Sequence, residues 1–249
     1  MALTITDAGN GVSTTNDASV ATGATVTAAI GDMLVAIIAA DNAGAAGVAS
    51  LSSVTDSAGN TWTQRAKINF TPTAAAEDGT TLGVYTCAVT IALSGGIVTA
   101  NFSPNTTSKV IEVYRVQPGA GEAVQFVAAD ATGSTGNTTT HSAATVSVTN
   151  GDTIFGAAAI EANNTVTGDS DTTNGSWSTV IRRLANLVQL TSQECSSQFK
   201  TVNATGNQDW ACTTGVSVDS ARSYLVIRPL AIPAAPVFNP NPFLPFLVR

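Results

Sequence analysis

One stretch of this chain returns. GDMLVAIIAADN, followed after a small-residue loop by VTDSAGNTW, runs from Gly31 to Trp62, and GDTIFGAAAIEANN followed by DSDTTNGSW runs from Gly151 to Trp177. Gly31-Asp32 stands 120 positions before Gly151-Asp152, and Asp41 stands 120 before Glu161. Asp56 precedes Trp62 by six residues, and Asp171 precedes Trp177 by six. Between the anchors the offset slips by five, as a shortened loop allows. Self-similarity at a fixed spacing constrains architecture more than any local propensity. The expectation is one unit used twice, over residues 1–118 and 119–230, followed by a tail of different chemistry over 231–249.

The unit reads as β. Residues 33–40 form an unbroken apolar run rich in Val and Ile, bounded by turn residues, the pattern of a strand buried on both faces. Residues 61–70 and 109–116 read as further strands, and 81–93 alternate around Leu82, Val84, Cys87 and Val89. Gly95-Gly96 suggests a tight hairpin, and residues 130–140 a polar loop. VIEVYR at 110–115 is answered by SYLVIR at 223–228, each ending in Arg shortly before a proline. Short strands with turns every 8–12 residues, and no sustained 3.6-residue period, predict an all-β chain of two tandem, duplicated β-sandwich (jelly-roll or Ig-like) units. Trp62 and Trp177 fall at equivalent places after a turn, so they read as core plugs, with Asp56 and Asp171 as turn anchors. As stacking platforms for a sugar, the tryptophans are the competing reading.

Composition narrows function. Charged residues make up only 11% of the chain, less than half the usual share, and the net charge is −7. A nucleic-acid binder needs Lys and Arg against phosphates, and an acidic membrane surface needs the same, so both partners are disfavoured. Cys87, Cys195 and Cys212 form no CxxC pair and make no disulfide framework, although Cys195 and Cys212 could face each other on adjacent strands. The first ten residues show no basic region and no long apolar core, so a secretory signal is not expected and the chain is expected to fold in the cytoplasm of the cell that makes it.

Candidates for chemistry are sparse. His141 is the one histidine, has no GxSxG elbow to serve, and reads as an exposed polar residue. Asp41-Asn42, Asp56, Glu161, Asn163-Asn164, Asp169 and Asp171 offer oxygens suited to calcium, but in no EF-hand spacing, and turn formation explains them equally. The expectation is a protein that is not an enzyme and takes no cofactor and no metal.

The tail carries the strongest signal. Residues 231–249 hold five of the nine prolines and three of the eight phenylalanines. Proline favours an extended chain, and such an arm is too apolar for a solvated linker. Val237, Phe238, Phe243, Leu244, Phe246, Leu247 and Val248 are the expected contacts with a partner, each contributing about 1.5–3 kcal/mol if fully buried.

GDMLVAIIAADN with VTDSAGNTW resembles a pattern found in virion proteins of tailed bacteriophages. The resemblance covers much of the first unit and, more faintly, the second. It implies a β-sandwich or jelly-roll structural component: a capsid decoration (cement) protein, a fibre or baseplate part, or a tail structural protein. The partners so implied are the major capsid protein or other virion subunits, in a homo-oligomer with a trimer favoured, or host surface glycan for a fibre module. The implied location is the outer surface of the capsid.

Overall fold

The computed structural model describes residues 3–23, 26–42, 51–71, 79–130, 133–161, 163, 165–185 and 192–233. Among them there is no helix, and the strands pair antiparallel throughout. The N-terminal half supplies β1 (Thr4–Ser13), β2 (Asp17–Ala21), β3 (Val26–Ala28), β4 (Met33–Asn42), β5 (Leu51–Asp56), β6 (Trp62–Phe70), β7 (Gly79–Ala88), β8 (Leu93–Gly96), β9 (Val98–Thr106) and β10 (Lys109–Gln117). The C-terminal half supplies β11 (Glu122–Ala129), β12 (Gly133–Ser142), β13 (Val146–Val148), β14 (Thr153–Glu161), β15 (Val166–Thr167), β16 (Ile181–Leu184), β17 (Gln193–Thr201), β18 (Gly206–Gln208) and β19 (Ala211–Ala231).

Two large sheets dominate. One runs β1-β10-β4-β7-β6, and the other follows β11-β19-β14-β17-β16, with β12 and β15 also pairing to β19. Smaller sheets, β2-β9-β5 and β3-β8 in one half and β13-β18 in the other, complete the set.

Alternation along β4 explains how the layers stack. Side chains on a strand point to opposite faces with a period of two. Met33, Val35, Ile37 and Ala39 join a core that also contains Phe155, Ala157, Ala159, Leu225 and Ile227 of the other large sheet. Leu34, Ala36, Ile38 and Ala40 join a second core with Val26, Leu51, Val98, Ala100 and Phe102 of the small sheets. The large sheets therefore pack face to face, each with its outer face covered: the second by Val146, Val148, Ala143, Val166 and Trp210. Because β4 and β14 lie in these inner layers, they read as nearly continuous apolar runs.

The two large sheets run in the same sense. Tyr114, paired with Val35 near the start of β4, has its ring centroid 5.3 Å from that of Phe155 near the start of β14. At the far end Thr80, paired with Asp41, donates to Gln193, paired with Glu161, over 2.7 Å. The turns before β4 and β14 thus lie at one end of the molecule.

The repeated Gly-Asp turns and the repeated arginines prove to be one device. Gly31 and Gly151 take φ of 95° and 91°, which only glycine adopts readily. The carboxylate after each glycine accepts a backbone N–H three residues back, from Ala29 at 2.7 Å and Thr149 at 2.8 Å. Each also holds an arginine of the neighbouring strand, Arg115 to Asp32 at 2.6 Å and Arg228 to Asp152 at 2.7 Å.

Several local expectations are corrected. Gly95-Gly96 makes no hairpin: β8 pairs with β3, and β9 goes to β2 and β5. Residues 130–140 read as a polar loop, but 133–142 form β12 and pair with β19, since threonine also suits a pleated surface. Trp177 lies in irregular chain, and only residues 181–184 continue as strand. The strand read at 223–228 is part of a much longer one, β19 (Ala211–Ala231), which pairs first with β12 and β15 and then with β14. In the first half the matching path is broken into β9 and β10 at residues 107–108, where Ser108 takes a φ of 24°. Cys195 and Cys212 are not on adjacent strands, because β14 separates β17 from β19; all three cysteines are free and buried.

Candidate functional site

The anchor residues of the two halves behave differently. Asp56 Oδ1 accepts the backbone N–H groups of Ala58, Gly59 and Asn60 at 2.9, 2.9 and 3.2 Å, and Oδ2 accepts the Trp62 indole N–H at 2.8 Å. Asn60 then ties this turn to Thr90 and Ile91. Asp171 accepts the Thr173 N–H at 2.9 Å and the Lys200 ammonium at 3.2 Å. Its pKa lies below the usual carboxylate value, chiefly through the Thr173 backbone bond. Trp177 is not bound to it: the Lys200 ammonium sits 5.0 Å from the Trp177 ring, and the indole N–H has no hydrogen-bond partner among the described residues. Both tryptophans are half-buried at the margin of a core, whereas Trp210 is fully enclosed.

Asp56→Ala is therefore expected to cost about 2 kcal/mol, because one carboxylate satisfies three backbone N–H groups, the Asn60 amide and the Trp62 indole. Asp171→Ala, with fewer bonds and a more exposed side chain, is expected to cost about 1 kcal/mol or less. Urea melts of both variants check the ratio. Equal losses would mean that the two anchors do the same job after all.

Between the large sheets lies a polar cluster. Glu112 of β10 is fully buried; its Oε2 accepts the Ser197 hydroxyl at 2.7 Å and lies 4.0 Å from the Cys195 sulfur, while Oε1 has no partner among the described residues. The Tyr114 hydroxyl meets the same Ser197 oxygen at 2.6 Å. Burial pushes the Glu112 carboxyl up to about 7, against the opposing pull of Ser197 and of Arg183, which itself pairs with Asp7 at the edge. The only sequence signal for this cluster is one carboxylate set among Val110, Tyr114 and Val116 on the apolar alternation of β10.

His141 is another correction. It is fully buried in β12, with Nδ1 2.8 Å from the Ser220 hydroxyl and Nε2 3.0 Å from that of Thr214. Burial, with Arg222 nearby, lowers its pKa to about 4. The imidazole is thus a neutral bridge between two hydroxyls. Burial likewise raises the Cys87 and Cys212 thiols to about 12, far from the thiolate a nucleophile needs.

The candidate calcium oxygens that fall in described positions serve the chain itself. Asp169 Oδ1 accepts the Asp171 N–H and Oδ2 the Ala211 N–H, and Asp41 Oδ2 accepts the Thr107 hydroxyl. Among the described residues no three His, Cys, Asp or Glu side chains are grouped to hold a metal ion. The arm residues Val237, Phe238, Phe243, Leu244, Phe246, Leu247 and Val248 lie outside the described residues.

One surface feature escapes the sequence reading. Ile30, Ile91 and Ile97 are strongly exposed on the turns at one end of the first half. Gly31 donates its N–H to Val89 O, and Gly151 donates to Val202 O, so the turns after Val89 and Val202 correspond. Where the first half has Ile30 and Ile91, the second therefore has Asn150 and Ala204, and Asn150 donates its backbone N–H to Thr205. Reading 120 positions ahead of Ile30 could have revealed the contrast.

No family model, no curated protein and no solved structure matches the chain.

Proposed function

We propose that this chain is a non-enzymatic structural protein of a tailed-bacteriophage virion. It acts as a capsid decoration protein that binds the shell, stabilises it and contacts neighbouring subunits through residues 231–249. The observation that carries the reading is the matched build of the two halves. Read edge to edge, β1, β10, β4, β7 and β6 occupy the places of β11, β19, β14, β17 and β16. Arg115–Asp32 and Arg228–Asp152 brace corresponding turns. We infer one β-sandwich unit used twice, which spends its polar groups on bracing turns and filling the mid-plane.

A surface of hydroxyls and amides with few charges suits dense packing of like subunits, since close neighbours then meet little repulsion or desolvation of ions. The arm adds apolar contact that is weak alone and useful when several copies bind one particle together. A trimer is the favoured oligomer.

The test is deletion of residues 234–249. The truncated protein is expected to fold but to lose at least tenfold in occupancy on undecorated capsids, measured by electron microscopy and by capsid melting. Normal decoration and normal stabilisation by the truncated chain would refute the arm's role.

A second reading, a fibre or baseplate module that reads host glycan, is favoured by Trp177, whose ring is only half-buried on the same segment as Asp169 and Asp171, although its indole N–H points inward. A glycan array lit by the intact protein and dark for Trp177→Ala would support it.

A further inference from the structure

Among the described residues, seven large apolar side chains stand well exposed: Val12, Ile30, Ile91, Ile97, Val216, Leu230 and Ile232. Register places five of them at one end. Ile30 is three residues before Met33, which pairs with Ala88, and Ile91 is three residues beyond Ala88. Ile97 O accepts the N–H of Ser57, in the turn that Asn60 ties to Ile91. In the other half, Leu230 is three residues beyond Ile227, the partner of Thr153 at the start of β14. Because β4 and β14 run in the same sense, all five belong to the same end, and β6 and β7 face β11 and β19 there, as Arg65 stacked 4.0 Å over Phe126 illustrates.

The chain leaves from this end. Ile232 donates its N–H to Gly121 O at 2.8 Å, and Pro233 follows. Sixteen residues remain, 234–249, apolar and proline-rich with Arg249 as their one charged side chain. Extended at about 3.1 Å per residue they reach roughly 50 Å, enough to cross one end of the molecule. Tethering gives them an effective concentration on the order of millimolar near any seat within reach, and proline lowers the entropy lost on docking. Isoleucines on the near turns, where the other half has Asn150 and the much smaller Ala204, give the tail a seat on one side only.

We propose that in the free molecule the C-terminal segment 234–249 docks on the apolar end formed by Ile30, Ile91 and Ile97 of its own chain. The segment is parked there until a neighbour competes for it. This goes beyond the shell-binding reading and does not depend on it, since its test needs no capsid.

The test is limited chymotrypsin cleavage of the full chain after Phe238, Phe243 and Phe246. Ile30→Asp with Ile91→Asp is expected to speed tail cleavage at least tenfold. The milder pair Ile30→Ser with Ile91→Ser, a second route should the first fail to fold, is expected to speed it by about threefold, while Val216→Asp at the opposite end leaves it unchanged. Wild-type protection is expected to be the same from about 1 to 100 μM protein, a range well below the tether's effective concentration. Equal cleavage of wild type and both paired variants would overturn the proposal. So would protection that grows with protein concentration, which would make a second copy's tail the occupant, or acceleration by Val216→Asp as large as by the pairs.

Discussion

Gly156→Ala is expected to destabilise the protein by about 3 kcal/mol, the upper part of the range for overpacking a tight core. A Cβ on Gly156 would lie 2.0 Å from Trp210 Cγ and 2.3 and 2.4 Å from Cδ2 and Cδ1, so the indole must move. It has nowhere to go. Trp210 is fully buried, and its N–H donates to Gln198 Oε1 at 3.0 Å. The same Gln198 amide holds Asp169 N and Ser178 O, so a displaced ring disturbs the whole 168–180 segment. Trp210→Ala is expected to cost about 3–5 kcal/mol through the cavity it leaves. The two changes should not add: once the ring is gone, the extra methyl is tolerated, and the double variant is expected to resemble Trp210→Ala alone. Urea unfolding of the four proteins gives the coupling, expected at about 2–3 kcal/mol. Simple additivity would show that the two residues do not compete for one space. The sequence repeat places Ala36 opposite Gly156, so the first half tolerates the methyl that the second half does not.

Glu112→Gln is expected to leave stability nearly unchanged at pH 4 and raise it by about 3 kcal/mol at pH 8. The buried carboxyl has a folded pKa of about 7 against 4.5 when unfolded, so the folded state favours the protonated form. Its contribution is fully present below pH 4.5 and is lost as pH rises through 7, at about 1.4 kcal/mol for each pH unit between the two values. Glutamine keeps the shape and a hydrogen bond to Ser197 without ever carrying the charge. His141 works in the opposite sense. Its folded pKa of about 4 lies below the unfolded 6.5, so its neutral bridge is intact above 6.5 and is lost as pH falls toward 4. Wild-type stability is thus expected to vary little between these limits, and Glu112→Gln to reveal a clean loss on the acid side. Parallel pH profiles for the two proteins, measured by denaturant midpoint from about pH 4 to 8, would remove Glu112 as the source.

The residues divide by what a one-dimensional pattern can carry. The run at 33–40 is legible as a strand covered on both sides, because every residue is apolar and the length is too short for anything but a buried strand or a short helix. The repeated Gly-Asp and the repeated Arg are also legible as repeats, and their meaning follows once strand pairing puts each arginine beside its aspartate. Residues 133–142 mislead because threonine and glycine serve equally in loops and edge strands, and only the partner β19 decides between them. The break in the first half is legible, since Ser103, Pro104 and Asn105 are turn formers and a new apolar run starts after Lys109, but nothing local signals that β19 runs on without one. His141 and Glu112 look like surface residues in isolation. Each is polar, and each is buried only because another segment, far away in sequence, offers it a hydroxyl.

By itself the sequence determined the all-β class, the strands that must be inside, and the spacing of the anchors at Asp56, Trp62, Asp171 and Trp177. Period-two alternation states which side chains share a face, and that suffices for these. Only the tertiary structure decided what covers each face: two large sheets packed on one another, a carboxyl and a serine meeting at their mid-plane, and five apolar side chains gathered at one end. Pairing and stacking join residues far apart along the chain, and nothing local in the chain records which distant surface will arrive.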